Sequence, residues 1–294
     1  MIAILKRELR AYFSTPIGCL YMGLFLLITG LFFTFSNLFS QSSYYSSFLG
    51  NVLFVYLFAI PLLTMRLFSE EKRQRTDQLL LTSPISIVEI VCGKFLAALT
   101  LYALTLVVTI FYAILISIYG DLIVWETVGS YIGFLFLGSS YIAVGVFVSA
   151  STENQLTAGL VTFFSLLVIW LIDPIAQLVP SDAFAGVISA GVLALIVVLF
   201  LFFNTRNWFI VLVTAVVAAA AILFLYFFVE GYYYKFRGIF SGFLQNFLGW
   251  FSLNRRYQNF TLGLLKFDSL LYYVSFSGLF LFMTVRLIEK RRWN

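Results

Sequence analysis

Residues Arg66 to Pro84 read RLFSEEKRQRTDQLLLTSP. Four bases (Arg66, Lys72, Arg73, Arg75) and three acids (Glu70, Glu71, Asp77) crowd into this stretch, in a chain that is 62% hydrophobic and 11% charged. Long apolar runs lie on both sides. A charged side chain at the centre of a membrane helix costs roughly 2.5–3.5 kcal/mol, so a polar break between apolar runs marks where the chain returns to water.

A mean hydropathy of +1.01 and 35 Phe among 294 residues exceed what one globular core can bury, and the surplus faces lipid. The long apolar runs are those of membrane helices; barrel strands would alternate apolar and polar over about ten residues. The net charge of +5 reflects bases flanking membrane helices rather than a nucleic-acid surface. Cys19 and Cys92 are too few for a disulfide framework. The absence of histidine removes His metal sites and His general bases. The first apolar run lacks a small-residue cleavage pattern and reads as a retained span.

Residues 1–15 place Ile4, Leu5, Leu9, Tyr12 and Phe13 on one helical face and Lys6, Arg7 and Arg10 on another, an amphipathic helix lying in the membrane interface. The first span is expected over residues 17–36, followed by a polar loop over 37–47. The second covers 48–65, with a kink expected near Ala59 to Leu63 because of Pro61. In the hinge, Glu71 and Arg75 are four apart and predict a helical ion pair. Leu79, Leu80 and Leu81 form an apolar patch, and Thr82-Ser83-Pro84 breaks the helix. Ser86-Ile87-Val88-Glu89 is a capping-box pattern opening the third span, whose core is 95–118. A short loop with Trp125 and Glu126 leads to a fourth span over 128–150. Its Gly129, Gly133, Gly138 and Gly145 permit close helix packing.

Ser151, Thr152, Glu153, Asn154 and Gln155 make a tight polar turn. The fifth span, 156–172, is expected to stop at Asp173-Pro174. Two more runs, 184–203 and 208–229, are read as full spans or as one re-entrant hairpin. Residues 230–269 form a long loop, in which the aromatic stretch 240–253 predicts a re-entrant or interfacial helix. The last span is 270–288, and a basic tail closes the chain.

The fold expected is thus an all-α polytopic membrane protein with eight spans in one transmembrane domain, 1–294. With the N-terminus in the cytoplasm, the hinge (66–89), the Ser151–Gln155 turn, the Arg206 turn and the C-terminus are cytoplasmic too. These segments and their flanks carry thirteen of the eighteen Lys and Arg; the other five, Lys235, Arg237, Arg255, Arg256 and Lys266, share one outer loop. The positive-inside rule fixes that orientation.

Covalent chemistry has little to stand on. GxxxxGK[ST], GxSxG and HExxH are all absent, and no residue is assigned to catalysis, a cofactor or a metal. Asp173, Arg255 and Arg256 lie at outer ends of spans or in the outer loop; they are candidates for an outer gate, against an interfacial role for Asp173 and a plain solvated loop for the arginines. The hinge, with its acids, bases and leucine patch, reads on its residues alone as a solvated connector or as a docking surface; in the second case the Ser151–Gln155 turn on the same side can join it as one platform.

The segment TMRLFSEEKRQRTDQLLLTSPIS, Thr64 to Ser86, resembles the first cytoplasmic segment of ABC-2-type transporter permeases, closest to the gliding-motility-associated (GldF-like) group. That group's pattern is a Met-Arg-x-Phe-x-Glu-Glu-Lys run, then Gly-Thr-x-Glu, then Leu-Leu-x-Thr-x-Pro. The opening KRELRAYFSTPIG, GKFLAAL at Gly93 to Leu99, ISIYGD, STENQ and the closing stretch from RYQNF to EKRRW also fit, about two-thirds of the chain together. Arg75 stands where the group has Gly, and Asp77-Gln78 where it has an apolar residue and Glu.

The resemblance implies a six-helix permease core, here with about two extra spans, in the cell membrane of a bacterium or archaeon. It implies a pair of permease chains, identical or related, working as an exporter with separate ABC ATPase subunits that hold ATP and Mg. The coupling contacts carried over are Glu70, Glu71, Lys72, Arg73, Thr76, Leu79, Leu80, Leu81, Thr82, Ser83 and Pro84, with Ser151 to Gln155 as a second contact. Lys6, Arg7, Glu8 and Arg10 belong to the interfacial helix near the hinge. Two other classes stay open on the residues alone: a membrane enzyme acting on lipid or glycan, and a scaffold or channel without energy coupling.

Overall fold

A computed structural model of the chain describes residues 1–76, 85–178 and 242–293, with isolated positions between 194 and 224. Among the described residues every regular element is helical. Contacts divide the chain into two units, Met1–Ile169 with Leu253–Asn294, and Trp170–Ser252.

The first unit opens with α1, Ile2–Ser14, which buries Ile4 and Tyr12 and leaves Lys6, Arg7 and Arg10 exposed. Pro16 starts α2, Pro16–Phe33, where its missing N–H is no loss, and the helix widens into a π-turn over Thr34–Phe39. Next come α3, Tyr45–Val52, a 3₁₀ turn, Leu53–Val55, and α4, Tyr56–Thr64. α4 is continuous through Pro61, where the kink is expected, and the 3₁₀ turn lies just upstream of it. Pro61 gives no hydrogen to the Leu57 carbonyl, and its ring crowds that group.

A five-residue helix, α5, Ser69–Arg73, begins the hinge. The long α6, Ile87–Tyr119, starts where the capping pattern predicts, with the Glu89 N–H donating to Ser86 Oγ at 3.3 Å. Its 33 residues, at about 1.5 Å each, outrun a hydrocarbon core of about 30 Å. The turns around Lys94 therefore have room to project past the membrane.

At the centre stands α7, Val124–Ser151, which packs on α3, α4 and α6. All four glycines expected to allow close packing do so. A Cβ at Gly145 would run into Thr64 of α4, and one at Gly138 would lie 2.5 Å from the Tyr102 ring of α6. At Gly133 and Gly129 the neighbour is Phe260, whose ring and carbonyl would be 2.6 and 2.8 Å away. Phe260 belongs to α10, Leu253–Thr261, which runs antiparallel to α7 from Asn254 beside Tyr141 (3.0 Å) to Phe260. Nine residues span about 14 Å, too short to cross a membrane. The closing α11, Phe267–Trp293, runs parallel to α7, with Tyr273 beside Ser140 and Phe280 beside Phe147. The tail Glu289 to Trp293 continues this helix instead of leaving it, in keeping with the helix propensity of Glu, Lys and Arg.

The helix α8, Gln155–Leu178, is capped by Asn154 Oδ1, which accepts from the Leu156 N–H at 3.0 Å. It does not stop at Asp173-Pro174 as expected. Near a helix end Pro174 deprives only the Trp170 carbonyl of its partner, a small loss in an apolar helix. The second unit also contains α9, Phe243–Phe251, inside the aromatic stretch expected to be helical, with Phe247, Trp250 and Phe251 exposed on its surface.

Among the described residues six helical stretches are long and apolar enough to cross a membrane: Pro16–Phe39, Phe48–Arg73, Ile87–Tyr119, Val124–Ser151, Gln155–Leu178 and Phe267–Arg291. They correspond to the first five expected spans and the last. The runs 184–203 and 208–229 lie outside the described residues, apart from isolated positions. The chain is a multi-pass helical membrane protein.

Candidate functional site

Four charged side chains from three elements meet beneath the hinge. Lys94, on the second turn of α6, is 1% exposed. Its Nζ lies 3.0 Å from Glu8 Oε1 of α1, 3.0 Å from Glu71 Oε1 of α5, and 2.5 Å from the Leu67 carbonyl. Arg7 Nη2 reaches the same two carboxylate oxygens, each at 2.6 Å. Two cations and two anions sum to zero. Charge-assisted bonds at these distances, with the third hydrogen of Lys94 on the Leu67 carbonyl and its charge over the Phe68 ring at 5.1 Å, are what a buried ammonium needs to offset its desolvation. Burial tends to raise the Glu8 carboxyl, but Lys94 beside it and hydrogen bonds from Arg7 and Lys94 hold it below the usual carboxylate range. Burial likewise works against the Arg7 guanidinium, and the two carboxylates raise it above its ordinary value.

The approach of α1 to α6 is set by Gly93, where a Cβ would lie 3.1 Å from Ile4. A second buried base, Arg66, is held alongside. It donates to Thr15 Oγ1 at 2.8 Å, faces Glu70 Oε2 at 3.8 Å and covers the Tyr12 ring at 5.3 Å. Tyr12 in turn donates to the Leu63 carbonyl at 2.9 Å.

The last turn of α7 completes the junction. Ser149 Oγ accepts from the Phe68 and Ser69 N–H groups at 3.0 and 3.4 Å, capping α5 from another helix. Lys72 Nζ donates to the Ala150 carbonyl. At its other end α5 stops in a Schellman motif: the Thr76 N–H donates to the Glu71 carbonyl at 2.9 Å and the Arg75 N–H to the Lys72 carbonyl at 3.1 Å. The motif needs a left-handed residue after the cap, and Arg75 takes it at φ 58°. This is why the expected Glu71–Arg75 pair does not form. The helix has ended before Arg75, and Glu71 turns inward to Arg7 and Lys94.

The hinge residues therefore divide. Glu70, Glu71 and Lys72 brace the junction from within; Arg73, Gln74, Arg75 and Thr76 are exposed. Leu79, Leu80, Leu81, Thr82, Ser83 and Pro84 lie outside the described residues. Ser151, the last residue of α7, and Glu153 and Asn154, in the turn that follows it, are exposed. Lys6 and Arg10 stay exposed on α1, while Arg7 and Glu8 join the quartet. Asp173, in the second unit, accepts from Gln177 at 3.4 Å. In the first unit Arg255 is exposed on α10 and the Arg256 guanidinium stacks 3.8 Å from the Tyr272 ring centroid.

Sequence reasoning missed Lys94, Ser149, Thr15 and Thr64. Lys94 did carry a signal, as a lone base seven residues into α6 ahead of an unbroken apolar run. The hydroxyls carried none. Among the described residues no group of His, Cys, Asp and Glu could hold a metal ion.

No curated protein matches the chain at a significant level. A family model described as ABC-2 family transporter protein matches residues 29–175, which is half of the 294 residues and includes the hinge, α6 and α7; the chain belongs to the ABC-2 transporter family.

Proposed function

We propose that the chain is the membrane-spanning permease subunit of an ABC-type exporter of the gliding-motility-associated group. It pairs with a second permease chain, identical or related, and is driven by separate ATPase subunits that bind ATP and Mg. The hinge, the Ser151–Gln155 turn and both termini lie on the cytoplasmic side, and α10 is a re-entrant segment entering from the opposite face. The observation that carries this reading is the bracing of α5. One short helix is tied to α1 and α6 through the quartet and to α7 through Ser149 and Lys72. A push on the hinge is then delivered to three elements at once. In this division of labour the exposed residues 73–76, the leucine patch and the Ser151–Gln155 turn touch the ATPase, while Glu70, Glu71 and Lys72 transmit its motion.

The test is to purify the chain with its native neighbours and reconstitute it in vesicles. An ATPase should co-purify. Replacing Leu79, Leu80 and Leu81 with Ser should abolish its binding. Glu71→Gln should keep the ATPase bound while lowering transport per ATP by about tenfold, the order of an allosteric coupling energy. A well-folded chain that binds no ATPase sinks the proposal. Lipid turnover without nucleotide would make it an enzyme, and ion conductance without an ATPase a channel.

A further inference from the structure

A separate feature lies at the other end of α2 and α6, away from the hinge. Phe33 stacks on Tyr112 with ring centroids 4.8 Å apart and meets Phe48 edge-on at 5.7 Å, closing the seam between these elements. Beyond that seal is a cavity of about 440 Å³, within the range of small-molecule sites. Its wall is apolar, from Phe33, Leu38, Leu115, Ile116 and Tyr119, and its rim carries Gln41, Ser42 and Ser43. Among the described residues no charged side chain lines it.

The rim is built. The π-turn Thr34–Phe39 carries Asn37 at the cavity, and such turns recur at functional sites. Asn37 grips Ser42 twice: its carbonyl accepts the Ser42 N–H at 3.1 Å and its Nδ2 donates to the Ser42 carbonyl at 2.8 Å. Gln41 holds the left-handed conformation, φ 48°, that closes the turn. Gly120 lets Ser43 settle against the end of α6, since a Cβ there would be 2.6 Å from Ser43 Oγ. Asn37 is 4% exposed, yet among the described residues its Oδ1 has no hydrogen-bond partner. A buried acceptor left open in a turn so fully determined calls for a donor from outside.

We propose that this cavity binds a membrane lipid whose headgroup is uncharged and bears hydroxyls, of the acylglycerol or glycosyl-acylglycerol kind. Leu38 and Tyr119 are largely exposed on helices that face lipid, so an acyl chain enters sideways from the bilayer onto the apolar wall. A headgroup hydroxyl donates to Asn37 Oδ1, and its neighbours exchange hydrogen bonds with Gln41, Ser42 and Ser43. A phosphate finds no base here, and a choline has no hydrogen to give.

The experiment uses the full chain in phosphatidylcholine vesicles with a diacylglycerol carrying a mid-chain photoreactive diazirine. Adducts should concentrate on residues 33–43 and 115–120. Unlabelled diacylglycerol and monoglucosyl diacylglycerol should compete; anionic phosphatidylglycerol should not. Leu115→Trp, which fills the cavity, should lower labelling roughly tenfold, and Asn37→Leu should weaken competition by the hydroxyl-bearing lipids. Leu115→Trp keeps the question open to refutation where Asn37→Leu fails to fold. Adducts spread evenly over α2, α6 and α8, equal competition by phosphatidylglycerol, no effect of Leu115→Trp, or no adducts because water alone fills the cavity would each overturn the proposal.

Discussion

Lys94 has two carboxylates, a carbonyl and an aromatic face around one ammonium group that water does not reach. Removing it leaves Glu8 and Glu71 facing each other with Arg7 alone. Lys94→Met should therefore destabilise the purified chain by about 3–5 kcal/mol. The double variant Glu71→Gln with Lys94→Met should recover part of that loss, with an interaction energy of about 0.5–3 kcal/mol in a cycle of thermal unfolding measurements. Additive losses would mean the pair does not interact. Arg75 is the opposite case. Its left-handed backbone costs a side chain roughly 1–2 kcal/mol that glycine does not incur, and glycine is what the resembling permeases carry there. Arg75→Gly should raise the unfolding temperature by a few degrees, with a gain of about 1 kcal/mol after the added freedom of the unfolded chain; a fall would show that the Arg75 side chain contributes more than its backbone costs.

At the scale of elements, α7 is positioned by its glycines. Gly145→Val should push α4 away at Thr64 and cost about 1–3 kcal/mol by overpacking. Gly278→Ala on α11, where a Cβ meets nothing within 4 Å, should be neutral or stabilise by up to about 1 kcal/mol. Denaturant unfolding of both variants in one detergent separates the two; equal behaviour would remove the close-packing account. What the sequence made legible here were the features written in local spacing: the glycines of α7, the Ser86 cap and the polar turn before α8. The quartet was not, because its partners are brought together by folding. Glu71 and Arg7 are 64 residues apart, and the local rule pointed Glu71 at Arg75 instead. Proline rules also overreached. At Pro174 the helix expected to stop runs on to Leu178, because apolar surroundings penalise a broken helix more than one missing hydrogen bond.

For the whole molecule, composition and long apolar runs were enough to establish a multi-pass helical protein, and six of the expected spans coincide with described helices. The cavity between α2 and α6 had no signature, since Asn37 and Ser42 read only as a polar loop. As a body the quartet is electrically neutral. Its four charges cancel and the neighbouring bases Lys6, Arg10 and Arg73 are exposed to water, so shifting the quartet carries no net charge through the transmembrane field and does no electrical work. Hinge movement in the exporter proposed above should then be blind to voltage, and ATP hydrolysis in sealed vesicles should run at the same rate with and without a potential of about 100 mV. Glu71→Gln leaves one positive charge uncompensated, and a full crossing of that field is worth about 2.3 kcal/mol per charge. A partial movement should give that variant a rate that depends on the sign of the potential, which is the behaviour of a voltage sensor made by deleting one carboxylate.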